Sequence, residues 1–403
     1  MAHTILIFSL AYYPRNVGGA EVALQKITDR IAKDTILFHM VTHRFYADQP
    51  DIEYIGNIVV HRVGTPFEAR LAQKSSLFLY VLKMMFVVRA AKKGISLHKE
   101  IGFNGLWAMM SYMAIPIMLM RMWGIRIPYV ITLQEGDSKD HVFKRLQILP
   151  FLSLLQKAFR EATHIQAISH FLAEWARELG YTGSVQVIPN GVDVALFSHD
   201  IAHADVERMQ QTIGKKTGEV WLIHTGRYVE KNALDTVLRA LPLLPSFVHF
   251  FALGEGPEEK ALRRLAVSLG VDERYHTHPY VHIDSIPQFL KACDIFVRPS
   301  RSEGMGNSFV EAMAASIPVI GTRAGGIVDF LSDGSEVGHQ KTGWVVRIDA
   351  PQDIADAVLC IVNHTSEVTE VLREAQTLVT DRYNWDSIAQ AMESHIFSSL
   401  FIE

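Results

Sequence analysis

The chain has 403 residues, of which 49% are hydrophobic and 20% charged, so its composition is that of a globular protein long enough for two domains. Its formal net charge of -4 gives no overall basic footprint, so no nucleic-acid partner is expected. Two cysteines are too few for a disulfide framework and favour a reducing, cytoplasmic compartment.

The first half of the chain alternates predicted strands with predicted helices. Two helices follow from apolar residues at a spacing of three to four, at 20–31 and at 171–179, the second ended by Gly180. Two longer apolar stretches are also predicted to be helices packed on a sheet, because each is shorter than the ~20 residues of a spanning helix. They are 77–88 and 105–120. The predicted strands are apolar runs at 5–9, 36–41, 129–133, 165–168 and 185–188.

The stretch 143–160 mixes basic residues with an apolar face. That combination is typical of a segment that contacts a membrane surface. An ordinary pair of core-facing helices, broken at Pro150, is the alternative. The start of the chain lacks the basic and apolar regions of a signal peptide, so none is expected.

The polar segment 198–218 interrupts the alternation and is interpreted as a connection with a peripheral helix. The βα pattern then resumes, with Asn232 as a candidate helix cap. We therefore predict an α/β protein of two domains with parallel sheets and a ligand cleft between them, 1–195 and 196–383, with a crossover helix at 384–403. Predicted strands in the second half are 220–224, 248–253, 295–297, 317–320 and 344–347, and predicted helices are 233–241, 258–269, 309–315 and 353–362.

Two carboxylates, Glu303 and Glu311, flank a glycine-bearing turn between a buried strand and a helix. Such a turn points backbone N–H groups into a crevice, and ionised carboxylates accept hydrogen bonds from hydroxyls. The pattern therefore favours a polyhydroxylated ligand. Glu311 has an alternative role in a capping box with Ser308, and Glu303 could be a solvated loop acid.

Basic residues follow another strand end, where Arg227 and Lys231 lie four residues apart after Gly226. Positive charge and N–H donors at that point suit a diphosphate, although a solvated loop would carry the same residue types. The other glycine turns, Gly18-Gly19 and Gly304 to Gly306, do not form a G-x-G-x-x-G motif, so a nicotinamide cofactor is not supported. No metal site is expected at His276, His278 and His282, which lack a carboxylate or cysteine at ligand spacing.

Together these motifs resemble the retaining glycosyltransferases of family 4, which have the GT-B architecture of two facing Rossmann-like domains. The resemblance covers nearly the whole chain. The residues that carry it are Pro14 to Glu21, Ala167 to Ser169, Val187 to Asp193, Gly226 to Lys231, the E-x₇-E motif from Glu303 to Glu311, Gly325-Gly326, and Tyr383 to Trp385.

The resemblance implies a role for each site residue. Arg227 and Lys231 would neutralise the diphosphate of a nucleotide sugar, assisted by the N–H of Gly19 in the loop that includes Gly18. Glu311 would hold the ribose. The transferred sugar would lie against Glu303 and the loop formed by Gly304, Met305, Gly306, Asn307 and Ser308. The family transfers the sugar to an acceptor hydroxyl with retention and without a required metal, so no cofactor besides the substrate is expected.

The chain departs from the family at Gln134-Glu135, where many members have a histidine near the reacting centre. Gln134 can donate a hydrogen bond but cannot shuttle a proton at neutral pH. The histidine's part is therefore unfilled or shifted to Glu135. The departing phosphate could still serve as the base.

The leading hypothesis is a retaining, metal-independent hexosyltransferase for envelope polysaccharide or glycolipid, with a glycan or lipid-linked acceptor. The protein would be cytoplasmic or peripheral on the cytoplasmic membrane face. One alternative is a catalytically impaired protein that only binds a nucleotide sugar. Another is a glycoside hydrolase or phosphorylase, since glycosidases also use two carboxylates, but such an enzyme has no diphosphate to neutralise.

Overall fold

The computed structural model describes residues 2–15, 18–66, 76–143, 151–336, 338 and 340–401. The chain forms two compact units, one of Met1–Asn190 with Trp385–Glu403 and one of Gly191–Asn384. The sequence placed the boundary after residue 195. The structure places it earlier because the N–H of Val192 donates to the Tyr383 carbonyl at 2.7 Å, which ties this segment to the second unit.

The first unit is built on an eight-stranded sheet in the order β3-β4-β2-β1-β5-β6-β7-β8. Its strand pairs are parallel except for β3, which runs antiparallel to β4. The strands are β1 His3–Phe8, β2 Ile36–His43, β3 Ile52–Ile55, β4 Ile58–Val63, β5 Gly105–Met109, β6 Tyr129–Leu133, β7 His164–Ala167 and β8 Gln186–Val187. The helices are α1 Gly19–Thr28, α2 Ser76–Ile101, α3 Ala114–Met122, α4 Lys139–Phe143, α5 Leu152–Glu161 and α6 His170–Glu178.

The second unit is built on a six-stranded, all-parallel sheet in the order β11-β10-β9-β12-β13-β14. Its strands are β9 Val220–Thr225, β10 Val248–Leu253, β11 Tyr275–His278, β12 Ile295–Arg298, β13 Val319–Thr322 and β14 Trp344–Val346. Its helices are α7 Val194–Ser198, α8 His203–Ile213, α9 Leu234–Ala240, α10 Glu259–Ser268, α11 Ile286–Ala292, α12 Asn307–Ala314, α13 Pro351–Asn363 and α14 Thr365–Arg382.

Two predictions about local structure are wrong. The apolar stretch 105–120 is not one helix, because its first five residues form the fully buried strand β5 and only Ala114–Met122 is α-helical. Asn232 does not cap a helix either. It lies in a short 3₁₀ turn, and the helix begins at Leu234 after Ala233, whose φ is 55°.

The last helical segment belongs to the first unit. It begins with α15, Trp385–Ala391, and continues as a π-helical turn at Met392–Phe397 and a 3₁₀ turn at Ser398–Phe401. The ring of Phe397 packs against Phe38 and Trp107, with centroids 5.7 and 5.0 Å apart, inside the core that covers one face of the sheet.

Residues 144–150 of the candidate membrane segment lie outside the described residues. In the described part, α5 buries Leu155 and Phe159, while Lys157 is exposed and pairs with Glu161 at 3.7 Å. These apolar side chains therefore pack inside the first unit, as the alternative of a core-facing helix requires. None of the helices in the described part of the chain combines the length and hydropathy needed to cross a bilayer.

Candidate functional site

Glu303 is the centre of the candidate site. It lies in the loop between β12 and α12, at the carboxyl end of the second sheet, and only 7% of its surface is exposed. Its Oε1 accepts a hydrogen bond from Arg298 Nη2 at 3.1 Å. Its buried Oε2 has no hydrogen-bond partner among the described residues, and Lys231 Nζ lies 4.0 Å from it. Such a buried, unsatisfied carboxylate oxygen is unusual and marks Glu303 as a candidate binding residue.

The Gly325-Gly326 turn fixes the backbone of Glu303. The N–H of Gly326 donates to the Glu303 carbonyl at 3.1 Å. Gly325 has a φ of 59°, and a Cβ placed there would come within 1.8 Å of the same carbonyl oxygen. Only glycine has both the conformational freedom and the small size that this approach requires.

Glu311 lies on α12 and is half-buried. Burial raises the pKa of its carboxyl to about 7, against the opposing effect of the Arg298 charge. The capping-box alternative is wrong, because the residue at the helix N-cap is Gly306 and no side chain caps the helix. Ser308 Oγ instead accepts a hydrogen bond from Arg298 Nη1 at 2.8 Å.

The two predicted cations follow β9, after Gly226, whose φ of 131° is accessible to glycine. Arg227 is exposed, and Lys231 is half-buried beside Glu303. Asn232 holds their loop, since its Nδ2 donates to the Arg227 carbonyl at 2.7 Å. The structure therefore brings Lys231 and Glu303 together at the carboxyl ends of adjacent strands, with Arg227 on the same loop as Lys231.

The loop that follows Glu303 contains the remaining predicted sugar contacts. Met305 is buried at 2% exposure, and Gly306 has a φ of 99° immediately before α12. Asn307 and Ser308 are the first two residues of the helix, so their N–H groups belong to its positive end. Gly304 separates Glu303 from Met305 and completes this turn.

Arg298 was missed by the sequence reasoning. It is the last residue of β12 and is 9% exposed, and its guanidinium contacts Ser308, Asn232 and Glu303. His224 on the adjacent strand is fully buried, and burial together with the Arg298 charge holds its pKa well below the usual value. A cation at the end of an otherwise apolar, buried strand is the signal that could have identified Arg298.

In the first unit, Gln134 and Glu135 follow β6 and are both buried. The amide of Gln134 is paired reciprocally with that of Asn190, at 2.9 Å in each direction. Glu135 accepts backbone hydrogen bonds from Ser111 at 2.7 Å and from Gln134 at 3.0 Å, and burial raises its pKa. These contacts favour a role for Glu135 in holding the loops after β5 and β6, and its predicted catalytic role stays a prediction.

The glycines of the predicted phosphate loop lie at the start of α1. Gly18 is the N-cap residue, and its N–H donates to Glu21 Oε2 at 2.9 Å. Burial raises the pKa of Glu21. The Gly18 N–H is therefore used within the helix terminus, and the predicted contact of the Gly19 N–H with a phosphate stays a prediction.

The histidine cluster of the second unit has packing partners. His276 Nε2 lies 3.0 Å from His249 Nδ1, and its ring stacks on Trp221 with centroids 4.5 Å apart. In the described part of the chain, the group with metal-ligand chemistry lies elsewhere: Cys360, His364 and Glu367 have candidate ligand atoms within 4.8 Å of one another. Lys341 already pairs with Glu367 at 2.7 Å. Metal independence at the candidate site stays a prediction.

Comparison with known proteins follows the same division of the chain. Residues 17–196 match the family model described as Glycosyltransferase Family 4, and residues 219–364 match the model described as Glycosyl transferases group 1. The GDP-mannose-dependent alpha-(1-6)-phosphatidylinositol monomannoside mannosyltransferase of Mycobacterium tuberculosis is 30% identical over 231 residues. That match covers 55% of this chain and 58% of the relative.

Solved structures show the same fold. Sucrose-phosphate synthase from Thermosynechococcus elongatus is 17% identical with a TM-score of 0.80, and the match covers 99% of each chain. Anabaena HepE in complex with UDP-glucose is 20% identical with a TM-score of 0.76, covering 98% of this chain and 99% of that one. The chain, with its two Rossmann-like units of the GT-B class, belongs to the family 4 glycosyltransferases.

Proposed function

We propose that the protein is a retaining, metal-independent hexosyltransferase that moves a sugar from a nucleotide-diphosphate donor to an acceptor hydroxyl. The observation that carries this proposal is the buried Glu303 carboxylate, with Oε1 held by Arg298 and Oε2 left beside Lys231. A carboxylate facing hydroxyls and a cation facing a diphosphate are the two groups that a sugar nucleotide needs.

The second unit binds the donor in this proposal. Arg227 and Lys231 contact the diphosphate, and the carboxylate of Glu311 accepts hydrogen bonds from the ribose hydroxyls. The sugar lies against Glu303 and the N-terminus of α12. The presence of UDP-glucose in the HepE structure, which shares this fold, supports a nucleotide-sugar ligand.

The chemistry follows from the charges of these residues. Negative charge develops on the departing phosphate, where Arg227 and Lys231 stabilise it in the way that a metal ion does in other enzymes. Positive charge develops at the anomeric carbon, where the Glu303 carboxylate stabilises an oxocarbenium-like state. The acceptor oxygen bonds to the anomeric carbon on the face from which the phosphate departs, so the sugar retains its anomeric configuration. The bond from the anomeric carbon to the phosphate oxygen breaks, and a departing phosphate oxygen accepts the proton of the acceptor hydroxyl.

The acceptor is proposed to be a glycan or a lipid-linked glycan, bound by the first unit, in the synthesis of envelope polysaccharide or glycolipid. Support comes from the mycobacterial relative, whose name specifies a phosphatidylinositol monomannoside acceptor. A cytoplasmic location and membrane contact through 143–160 remain predictions.

The function is tested by incubating the protein with uridine, guanosine and adenosine diphosphate sugars and a mixed glycan and glycolipid acceptor set. We expect transfer from at least one donor, and we expect Glu303→Ala to lower kcat by about 10²–10³-fold. Glu259→Ala, which changes a half-buried acid on α10 in the same unit, should leave kcat unchanged. NMR of the anomeric proton tests retention, and activity in chelator tests metal independence.

Three results would contradict the proposal. Wild-type turnover in Glu303→Ala would remove that residue from the reaction. Donor binding with no transfer to any acceptor would favour a protein that only binds nucleotide sugars. Cleavage of an unactivated glycoside would favour a hydrolase.

A further inference from the structure

We propose that Arg298 is a positioning residue, which holds one oxygen of the Glu303 carboxylate so that the other faces the transferred sugar; this inference rests on the proposed function. The residue does not itself contact the reacting atoms in this account. It acts through Glu303, by fixing where that carboxylate lies.

The guanidinium joins three separate chain segments. Its Nη1 donates to Ser308 Oγ on α12 at 2.8 Å, and its Nη2 donates to Asn232 Oδ1, in the loop after β9, at 2.8 Å. The same Nη2 donates to Glu303 Oε1 at 3.1 Å. Because a guanidinium is planar and rigid, two anchors on other segments determine where its bond to the carboxylate points.

The pair is buried, with side-chain exposures of 10% for both Arg298 and Glu303. A buried charge needs a partner, since removing one member of a buried pair leaves the other uncompensated. The adjacent His224 is neutral, as its lowered pKa requires, so it adds no competing positive charge. Arg298 is therefore the buried cation that fixes Oε1, and Oε2 keeps its full acceptor capacity.

A purely structural ion pair would stabilise the unit without affecting the reaction, so the test must separate kcat from binding. We compare Arg298→Gln and Arg298→Lys with the wild type at pH 9, where Glu311, with a pKa of about 7, is ionised. We expect kcat of Arg298→Gln to fall about 100-fold while the Kd for the nucleoside diphosphate stays within about threefold, on the scale of one displaced catalytic contact.

The kcat of Arg298→Lys should be about tenfold higher than that of Arg298→Gln. The lysine ammonium keeps the positive charge but lacks the planar set of N–H donors of the guanidinium. The matched control is Arg263→Gln, which removes an exposed arginine that is bonded to Glu259 in the same unit. We expect wild-type kcat in that variant.

If the Arg298 variants do not fold, two variants that leave Arg298 in place still test the inference. Asn232→Ala and Ser308→Ala each remove one anchor of the guanidinium, and each should lower kcat about tenfold. Ser308→Ala should change Tm little, whereas Asn232→Ala also removes the hydrogen bond to the Arg227 carbonyl and should lower Tm. Wild-type kcat in both would overturn the inference. So would an Arg298→Gln protein with kcat within threefold of the wild type, or one whose nucleoside diphosphate Kd rises as much as its kcat falls.

Failure of the proposed function has a different signature. In that case the wild type itself shows no transfer from any nucleotide sugar, and this inference falls with it. An active wild type with unaffected Arg298 variants overturns the inference alone.

Discussion

The carboxyl of Glu311 favours folding when it is protonated, whereas its proposed contact with the ribose uses the ionised form. Its pKa of about 7, raised by burial from an ordinary 4.5, means that the folded protein retains a proton that the unfolded chain releases between those values. The stabilising effect of this group is therefore complete below about pH 4.5 and is lost as the pH rises through 7. The contact that we propose between Glu311 and the ribose, in contrast, is strongest with the ionised carboxylate.

We expect Glu311→Gln to raise the free energy of unfolding at pH 8 by about 1–3 kcal/mol, because the amide removes a buried charge. At pH 5, where the wild-type carboxyl is neutral, the two proteins should be nearly equal. Denaturant unfolding at both pH values checks this. Equal stability at pH 8 would mean that the carboxyl is well solvated when ionised.

The same variant should bind nucleoside diphosphate about tenfold more weakly at pH 8, since a neutral amide accepts weaker hydrogen bonds than a carboxylate. Wild-type affinity should rise between pH 6 and pH 8 and approach that of the variant at low pH. Titration calorimetry across this range is the measurement. A pH-independent wild-type affinity would contradict the ribose assignment.

At the residue scale the sequence indicated Glu303, Glu311, Arg227 and Lys231 through their spacing around strand ends. The hydrogen-bond partners of Arg298 could not be predicted in the same way, because a hydrogen bond that joins β12 to the loop after β9 depends on the order of strands in the sheet. Asn232 was assigned as a helix cap for the same reason. Its oxygen serves Arg298, a residue 66 positions away.

The turn at Gly325 supports the candidate site through its backbone, which contacts the carbonyl of Glu303. We expect Gly325→Ala to lower the free energy of unfolding by about 2–4 kcal/mol, since a Cβ would meet the Glu303 carbonyl oxygen. Gly270→Ala is the matched control. Its φ of 67° is similar, but no atom lies within 4 Å of its added Cβ, so the cost should be about 1 kcal/mol.

Chemical denaturation of both variants, with turnover measured in parallel, tests this argument. Gly325→Ala should also lose activity, because the clash displaces Glu303. If the two substitutions lowered the free energy of unfolding equally, the loss would come from the backbone conformation alone and not from the close approach to Glu303.

The strands that were predicted best are those followed directly by a polar residue or a glycine, Gln134 after β6 and Gly254 after β10. Strands β6 and β10 were predicted with the bounds that the structure shows. The failure at β5 has a physical cause. A fully buried strand is a continuous apolar run. When apolar helix residues follow it closely, the spacing of apolar residues does not distinguish the strand from the helix.

At the scale of the whole molecule, the two ends of the chain meet in one unit. The C-terminal segment fills the core of the first unit with Phe397. We expect Phe397→Ala to cost about 3–5 kcal/mol, by loss of buried area and creation of a cavity. Phe247→Ala, at a side chain that is 42% exposed in the second unit, should cost much less. Denaturation midpoints compare the two, and similar losses would contradict the assigned packing.

In the proposed function, the second unit binds a diphosphate and its sugar through Arg227, Lys231 and Glu303. The decisive experiment titrates uridine, guanosine and adenosine diphosphates and their sugars into the wild type and into the Arg227→Ala/Lys231→Ala double variant. We expect at least one nucleotide sugar to bind the wild type and its affinity to fall 100-fold or more, about 3 kcal/mol, in the double variant. Binding of equal strength in both proteins, or binding of no nucleotide sugar to the wild type, would contradict the proposed donor site.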